Sequence, residues 1–388
     1  MQNVKYVHEP FFAMISASKL MLTLVLLSTA LTSVTTVLAQ NQWTRYGSTP
    51  ILSTPSWASG EVRPRVVYDG KTFRMWFMGQ NSTGYVDGLG IGYATSTDGL
   101  KWVVNPQPVL TDRINPEKWT AYGSVYQITQ VRIGSVVWTG SQFMMWYAGW
   151  NSTGYGVAIA LATSPDGVTW TRYSRNPVMT ESSIDWDGMY QPYVIQVGSS
   201  FKMWYVCSNA NIPSGESGEA ICYATSNDGM SWVKGSSPVL QAREISAWEA
   251  GFLYSPTVIY DGSVYGMWYS GCNSTSSSAL CQIGYATSKD GITWTRDPNN
   301  PILSLGPSGA WDAGGVENQC VVQYNGGFLL YYDGYATTTS SLAFIGLARS
   351  PPNFVLPESP SPLPMIGGAM LIMLTGLSLK KRRLTRQQ

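Results

Sequence analysis

One phrase, repeated at a nearly fixed interval, constrains this chain more than any other feature. Ile91–Trp102 reads Ile-Gly-Tyr-Ala-Thr-Ser-Thr-Asp-Gly-Leu-Lys-Trp, and the phrase returns at Ala158–Trp170, Ile221–Trp232 and Ile283–Trp294. Ile345–Ser350 opens a further copy and stops before its Asp-Gly. The Asp-Gly pairs begin at Asp98, Asp166, Asp228 and Asp290, so successive copies lie 68, 62 and 62 residues apart. A period of this size means stacked copies of one supersecondary unit.

Each copy carries four short strand signals. In the first, Arg65–Tyr68 stops at Asp69-Gly70, Phe73–Phe77 follows, Gly90–Thr95 runs on to Asp98-Gly99, and Trp102-Val-Val ends the unit. Aromatic and β-branched runs broken by Asp-Gly turns predict antiparallel hairpins. Four strands per unit, arranged radially, predict a β-propeller blade. Strand-one and strand-two signals recur at Val136–Trp146, Val194–Trp204, Val258–Trp268 and Val321–Tyr331, which makes five blades. The last copy lacks its Trp-bearing outer strand, and Trp43–Leu52 matches Trp170–Met179 and Trp294–Leu303. The expected fold is therefore an all-β, five-bladed propeller over residues 40–350, closed by an N-terminal strand in the last blade. Closure hides the sheet edges that an open array would expose.

The flanks predict addresses. Residues 1–39 read as a signal peptide: Lys19 precedes the apolar Leu20–Ala39, with small residues at its end. An uncleaved N-terminal anchor is the other reading. Residues 351–364 form a Pro/Ser linker. Residues 365–388 hold the apolar Met365–Leu379 and then Lys380–Arg383, a transmembrane or sorting segment with a basic tail. Its apolar part is shorter than the roughly 20 residues that span a bilayer, and the basic tail is expected on the cytoplasmic side. This layout resembles the C-terminal sorting signals of archaeal and bacterial surface proteins. The expected location is the extracellular face of the cell membrane or the cell surface, as a monomer held by the C-terminal segment.

The cysteines fit an oxidising compartment. Cys207 and Cys222 flank one strand-two to strand-three loop, and Cys272 and Cys281 flank the same loop a blade later. Two disulfides or four buried thiols satisfy this spacing. Cys320 is left over. Asn81, Asn151 and Asn273 each open an Asn-Ser-Thr triplet, a glycan acceptor or a turn former.

Several chemistries are excluded. The net charge of +1 gives no nucleic-acid footprint. His8, in the presequence, is the only histidine, which removes Ser-His-Asp and Cys-His nucleophiles and ordinary zinc sites. No Gly-rich phosphate cradle is visible. Neither a metal nor a cofactor is expected, and carboxylates remain as the acid–base equipment. The Trp residues of the repeat are core candidates, and Trp150, outside it, is a candidate to stack on a sugar ring.

The Met-Trp-Tyr second strands and Ala-Thr-Ser-x-Asp-Gly-x-x-Trp turns resemble the five-bladed propeller superfamily of glycoside hydrolases, which includes invertases, levansucrases, arabinanases and β-xylosidases. The likeness covers roughly Gln42–Ser350. It implies carbohydrate as the partner and a funnel at one end of the axis, with carboxylates projecting from the starts of innermost strands. On that implication the catalytic candidates are Glu317, Glu61 and Asp187, and the substrate-binding candidates are Arg63, Arg132, Tyr190, Tyr254 and Asn318. The resembled family places an aspartate beside the Pro of the first inner strand. Here that residue is Arg63, with Gln191, Ser255 and Asn318 as its counterparts. Glu317 reads as a general acid or as half of an ion pair with Arg63 or Arg132. Asp187, Glu249 and Asp312 share a Trp-acid-x-Gly pattern that favours a repeated structural role, and Asp98, Asp166, Asp228 and Asp290 read as turn residues. The expected function is a secreted, surface-anchored glycoside hydrolase-like protein using carboxylate chemistry. A non-catalytic carbohydrate-binding or adhesion propeller and a surface-layer scaffold are the alternatives.

Overall fold

The computed structural model describes residues 43–80, 90–111, 117–121, 124–151, 156–185, 188–208, 219–243, 246–276, 278–340, 342–352, 354 and 356. The predicted signal peptide and C-terminal segment lie outside them. No helix among the described residues is long and apolar enough to cross a membrane.

The chain opens with β1 (Thr44–Arg45). Blade one holds β2 (Gly60–Tyr68), β3 (Phe73–Gln80), β4 (Ile91–Ser96) and β5 (Val103–Val104). Blade two holds β6 (Lys118–Ala121), β7 (Ser124–Trp138), β8 (Phe143–Asn151), β9 (Gly156–Ser164) and β10 (Thr171–Arg172). Blade three is β11 (Gly188–Val197), β12 (Ser200–Ser208), β13 (Glu219–Ser226) and β14 (Val233–Lys234). Blade four is β15 (Phe252–Tyr260), β16 (Tyr265–Cys272), β17 (Cys281–Ser288) and β18 (Thr295–Arg296). Blade five is β19 (Gly315–Tyr324), β20 (Gly327–Tyr335) and β21 (Phe344–Arg349), with β1 as its outer strand. Thr44 pairs with Arg349 and Arg45 with Ala348, so the N-terminal strand closes the ring. The innermost strands β2, β7, β11, β15 and β19 touch in turn around the axis. Blade two departs from the four-strand expectation. Its inner strand runs on into a hairpin with β6, giving a five-stranded sheet.

The repeated phrase builds the seams. Each Asp of the Asp-Gly turns accepts backbone N–H groups two and three residues on, at 2.7–2.9 Å, and the Gly supplies a φ of +72° to +81°. The Gly carbonyl then faces the neighbouring blade. Trp76 Nε1 donates to Gly167 O at 2.8 Å, Trp146 to Gly229 at 2.9 Å and Trp204 to Gly291 at 2.8 Å. Tyr331 Oη donates to Gly99 O at 2.9 Å and joins blade five to blade one. Between blades four and five the Asp-Gly is missing, and Trp268 Nε1 has no partner among the described residues. Aromatic packing holds that seam: Trp268 meets Trp43 edge-on at 6.1 Å, and Phe354 packs on Trp43, Trp268, Tyr285 and Phe328. Packing thus continues past Ser350 to Leu356, which is 6% exposed.

A second repeated device ties each blade together near its lead-in loop. An acid accepts from a strand-two Tyr hydroxyl and pairs with a base on the outermost strand. The trios are Glu117–Tyr147–Arg172, Asp185–Tyr205–Lys234, Glu249–Tyr269–Arg296 and Asp312–Tyr332–Arg45, with ion-pair distances of 3.3, 2.7, 2.9 and 2.7 Å. Glu249 and Asp312 therefore play the structural part their sequence pattern favours. In blade three the buried acid is Asp185, and Asp187 lies outside the described residues. Blade one replaces all three members with apolar residues: Ala58, Phe77 and Val104 occupy the equivalent positions. Losing one partner of a buried pair strands a charge, whereas losing the whole set does not.

Candidate functional site

The site lies where the innermost strands begin, on the face opposite the Asp-Gly turns. Each of these strands carries a bulge at the same place, where two residues face one on the neighbouring strand. The bulge puts Arg63, Gln191, Ser255 and Asn318 at φ values of +58°, +50°, +49° and +53°. Positive φ is uncommon for residues other than glycine, and such strain gathers at functional sites. Blade two has Ile133-Gly134 here, where a Cβ on Gly134 would lie 2.3 Å from Pro192 of the next blade. The preceding position in each blade forms a second ring: Val62, Arg132, Tyr190, Tyr254 and Glu317.

These two rings bring together most of the predicted site residues. Asn318 Oδ1 accepts from Gln191 Nε2 at 3.2 Å and from the Ser255 hydroxyl, while Ser255 N–H donates to Gln191 Oε1 at 2.8 Å. Asn318 Nδ2 donates to Glu317 Oε1 at 3.0 Å, and the Tyr254 hydroxyl donates to Glu317 Oε2. On the next blade the Tyr190 hydroxyl donates to Glu219 Oε1. Arg132 lays its guanidinium over the Trp150 ring, 3.4 Å from the centroid, and Trp150 meets Tyr190 at 5.6 Å. Glu61 occupies the strand start opposite Gly79.

Two acids escaped the sequence reading. Asp333 pairs across the sheet with Glu317, is fully buried, and accepts the Arg63 backbone N–H at 2.8 and 3.0 Å. Glu219 begins β13 opposite Ser208. The signal for Asp333 was its position: the other blades place Met78, Ala148, Val206 and Ser270 there. A lone carboxylate in an otherwise apolar strand is a buried polar group that must find a partner.

Burial raises the Glu317 carboxyl above the usual carboxylate range, although the Tyr254 hydrogen bond and the Arg63 charge pull it back. Glu219 is raised for the same reason, with Tyr190 and Arg63 opposing. Asp333 is held well above its ordinary value by burial and then by the negative charge of Glu317. The Arg63 charge opposes the rise in all three carboxyls.

The disulfides Cys207–Cys222 and Cys272–Cys281 close loops on the same face, and Cys320 is a buried free thiol. Asn273 accepts the Leu280 N–H at 2.9 Å, as a turn former does, and Asn81 lies outside the described residues. No cluster of His, Cys, Asp or Glu able to hold a metal occurs among the described residues. The opposite mouth of the axis encloses about 650 Å³ lined by residues such as Val66, Val136, Val258 and Val321, and brings no acid to the axis.

No known protein-family model matches the chain. It is 27% identical over 312 residues to the uncharacterized proteins MT1551 and Rv1502 of two Mycobacterium tuberculosis strains, CDC 1551 / Oshkosh and ATCC 25618 / H37Rv. The match covers 78% of this chain and 94% of each relative. Among solved structures, a thermostable family-43 glycoside hydrolase superposes with a TM-score of 0.59 at 18% identity, covering 78% of this chain and 92% of that one. A putative glycosidase from Bacteroides thetaiotaomicron gives 0.59 at 19%, covering 81% and 97%. A structure from the GH130 family of mannoside phosphorylases, which contains glycoside hydrolases targeting β-1,2 mannosidic linkages in Candida mannan, gives 0.58 at 18%, covering 82% and 96%. These likenesses establish the fold: this is the five-bladed propeller on which those glycoside hydrolases are built.

Proposed function

We propose that the protein is a glycoside hydrolase-like propeller that engages a poly- or oligosaccharide in the axial funnel and cleaves it by carboxyl chemistry. The observation that carries this reading is the pairing of Glu317 with Asp333 across the sheet at the inner-strand starts, where Asp333 holds the Arg63 backbone, with burial raising both carboxyls and that of Glu219. Glycosidic cleavage requires a proton donor at the leaving oxygen and a second carboxylate for the sugar face. Glu317, held by Tyr254 and Asn318, is the proton donor in this proposal. Glu219 is the second carboxyl, burial keeps the donor protonated, and Asp333 fixes the strand through the Arg63 backbone N–H. Incubating the protein with a panel of polysaccharides and measuring released reducing ends tests it. Glu317→Gln is expected to lower turnover roughly 10²–10⁴-fold while leaving binding in place.

One observation favours a second reading, a non-catalytic carbohydrate-binding or adhesion propeller: Arg63 stands where the resembled hydrolases place an aspartate. Glycan binding with no sugar released from any substrate would select it.

We also propose export and attachment at the cell surface as a monomer. The apolar segments at both ends support this, and so do the disulfides, which suit an oxidising compartment. Protease treatment of intact cells should remove the propeller. Protection until the cells are lysed would count against the proposal.

A further inference from the structure

The floor of the funnel also bears on the charge of the ligand. Two arginines sit two residues apart on β2 and are used differently. Arg65, 2% exposed, donates from Nε and Nη1 to the carbonyls of Gly134, Pro64, Asn318 and Gln319, and so acts as an axial tie, with only its Nη2 left without a partner among the described residues. Arg63 is partly exposed to the funnel. Its backbone is fixed by Asp333, yet its guanidinium makes no ion pair among the described residues, and its Nη1 is buried without a hydrogen-bond partner. The acids in its field are engaged elsewhere: Glu317 by Tyr254 and Asn318, Glu219 by Tyr190.

Building on the carbohydrate reading, we infer that the ligand carries an anionic group, a carboxylate or a phosphate ester on the sugar, that docks on Arg63. A planar guanidinium matches carboxylate and phosphate oxygens in a two-point contact. A neutral hydroxyl oxygen accepts from the unpartnered Nη1 but brings no opposite charge to the guanidinium. The backbone clamp from Asp333 holds the arginine in place before the ligand arrives.

The test is a glycan array carrying neutral, uronic-acid and phosphorylated versions of the same backbones, followed by calorimetry on the best matched set. The expected result is at least about tenfold tighter binding of an anionic version than of its neutral counterpart, roughly 1.4 kcal/mol. Arg63→Gln, checked for folding by near-UV circular dichroism, should erase that preference. Should Arg63→Gln not fold, Arg63→Lys keeps the charge without the two-point geometry and should lose most of the preference. The uronic and phosphorylated arms identify which anion is read. Equal binding of neutral and anionic versions, or a preference that survives Arg63→Gln, overturns this inference and leaves the carbohydrate reading standing. Binding to no glycan at all overturns both.

Discussion

The two faces of the ring use the same residue type in opposite ways. On the turn face, backbone N–H groups of Thr169 and Val168 hold the Asp166 carboxyl down to about 2. Asp290 also sits at about 2, where N–H groups of Thr293 and Ile292 outweigh the effect of burial. On the funnel face, burial lifts Glu317, Glu219 and Asp333. The turn acids recur blade after blade and serve the seams. The funnel acids occur once each, on positions where neighbouring blades carry apolar or neutral residues. Repetition marks the scaffold, and departure from it marks the site.

The comparison breaks most visibly at Glu317. Its replacement by Gln should nearly abolish sugar release, whereas Asp166→Asn should leave turnover unchanged when both are assayed on one substrate. Next come the blade trios. Asp185→Ala leaves Lys234 and Tyr205 without their acid in a buried setting and should cost about 3–5 kcal/mol by denaturant unfolding. Replacing Asp312, Tyr332 and Arg45 together by the Ala, Phe and Val of blade one should cost much less than Asp312→Ala alone. A single turn substitution such as Asp228→Ala should cost about 0.5–1.5 kcal/mol, since it removes only hydrogen bonds local to the turn.

Acidity gives the smallest and most diagnostic effect. The depressed turn carboxyls contribute stability above their unfolded pKa, and that contribution is lost as pH falls from about 4 toward 2. The raised funnel carboxyls bind protons more tightly in the native state, so stability declines as pH rises through and above the ordinary carboxylate range. Asp166→Asn should flatten the acid limb, and Asp333→Asn the limb at higher pH. Melting temperatures across pH would show both.

The scaffold was legible in the sequence because it repeats. Asp-Gly turns, the strand-two aromatics and the matching Trp43–Leu52 segment carry the blade count and the closure. The ring of Arg63, Gln191, Ser255 and Asn318 was also legible as a set of counterparts, but its positive φ was not, because none of these residues signals a bulge. Asp333 and Glu219 were missed because they sit on strands two and three. Only the cross-strand register brings them to the starts of the innermost strands. Asp185 was missed because blade three shifts its structural acid two residues ahead of the Trp-acid-x-Gly pattern.

Hydrogen exchange on the protein saturated with its best-binding glycan tests the division of labour between the two faces most directly. The account predicts slowed exchange at the inner-strand starts, Gly188–Gln191, Phe252–Ser255 and Gly315–Asn318, with the Asp-Gly turns unchanged. Protection centred on the turns around Asp98, Asp166, Asp228 and Asp290, with the inner-strand starts unaffected, would contradict it.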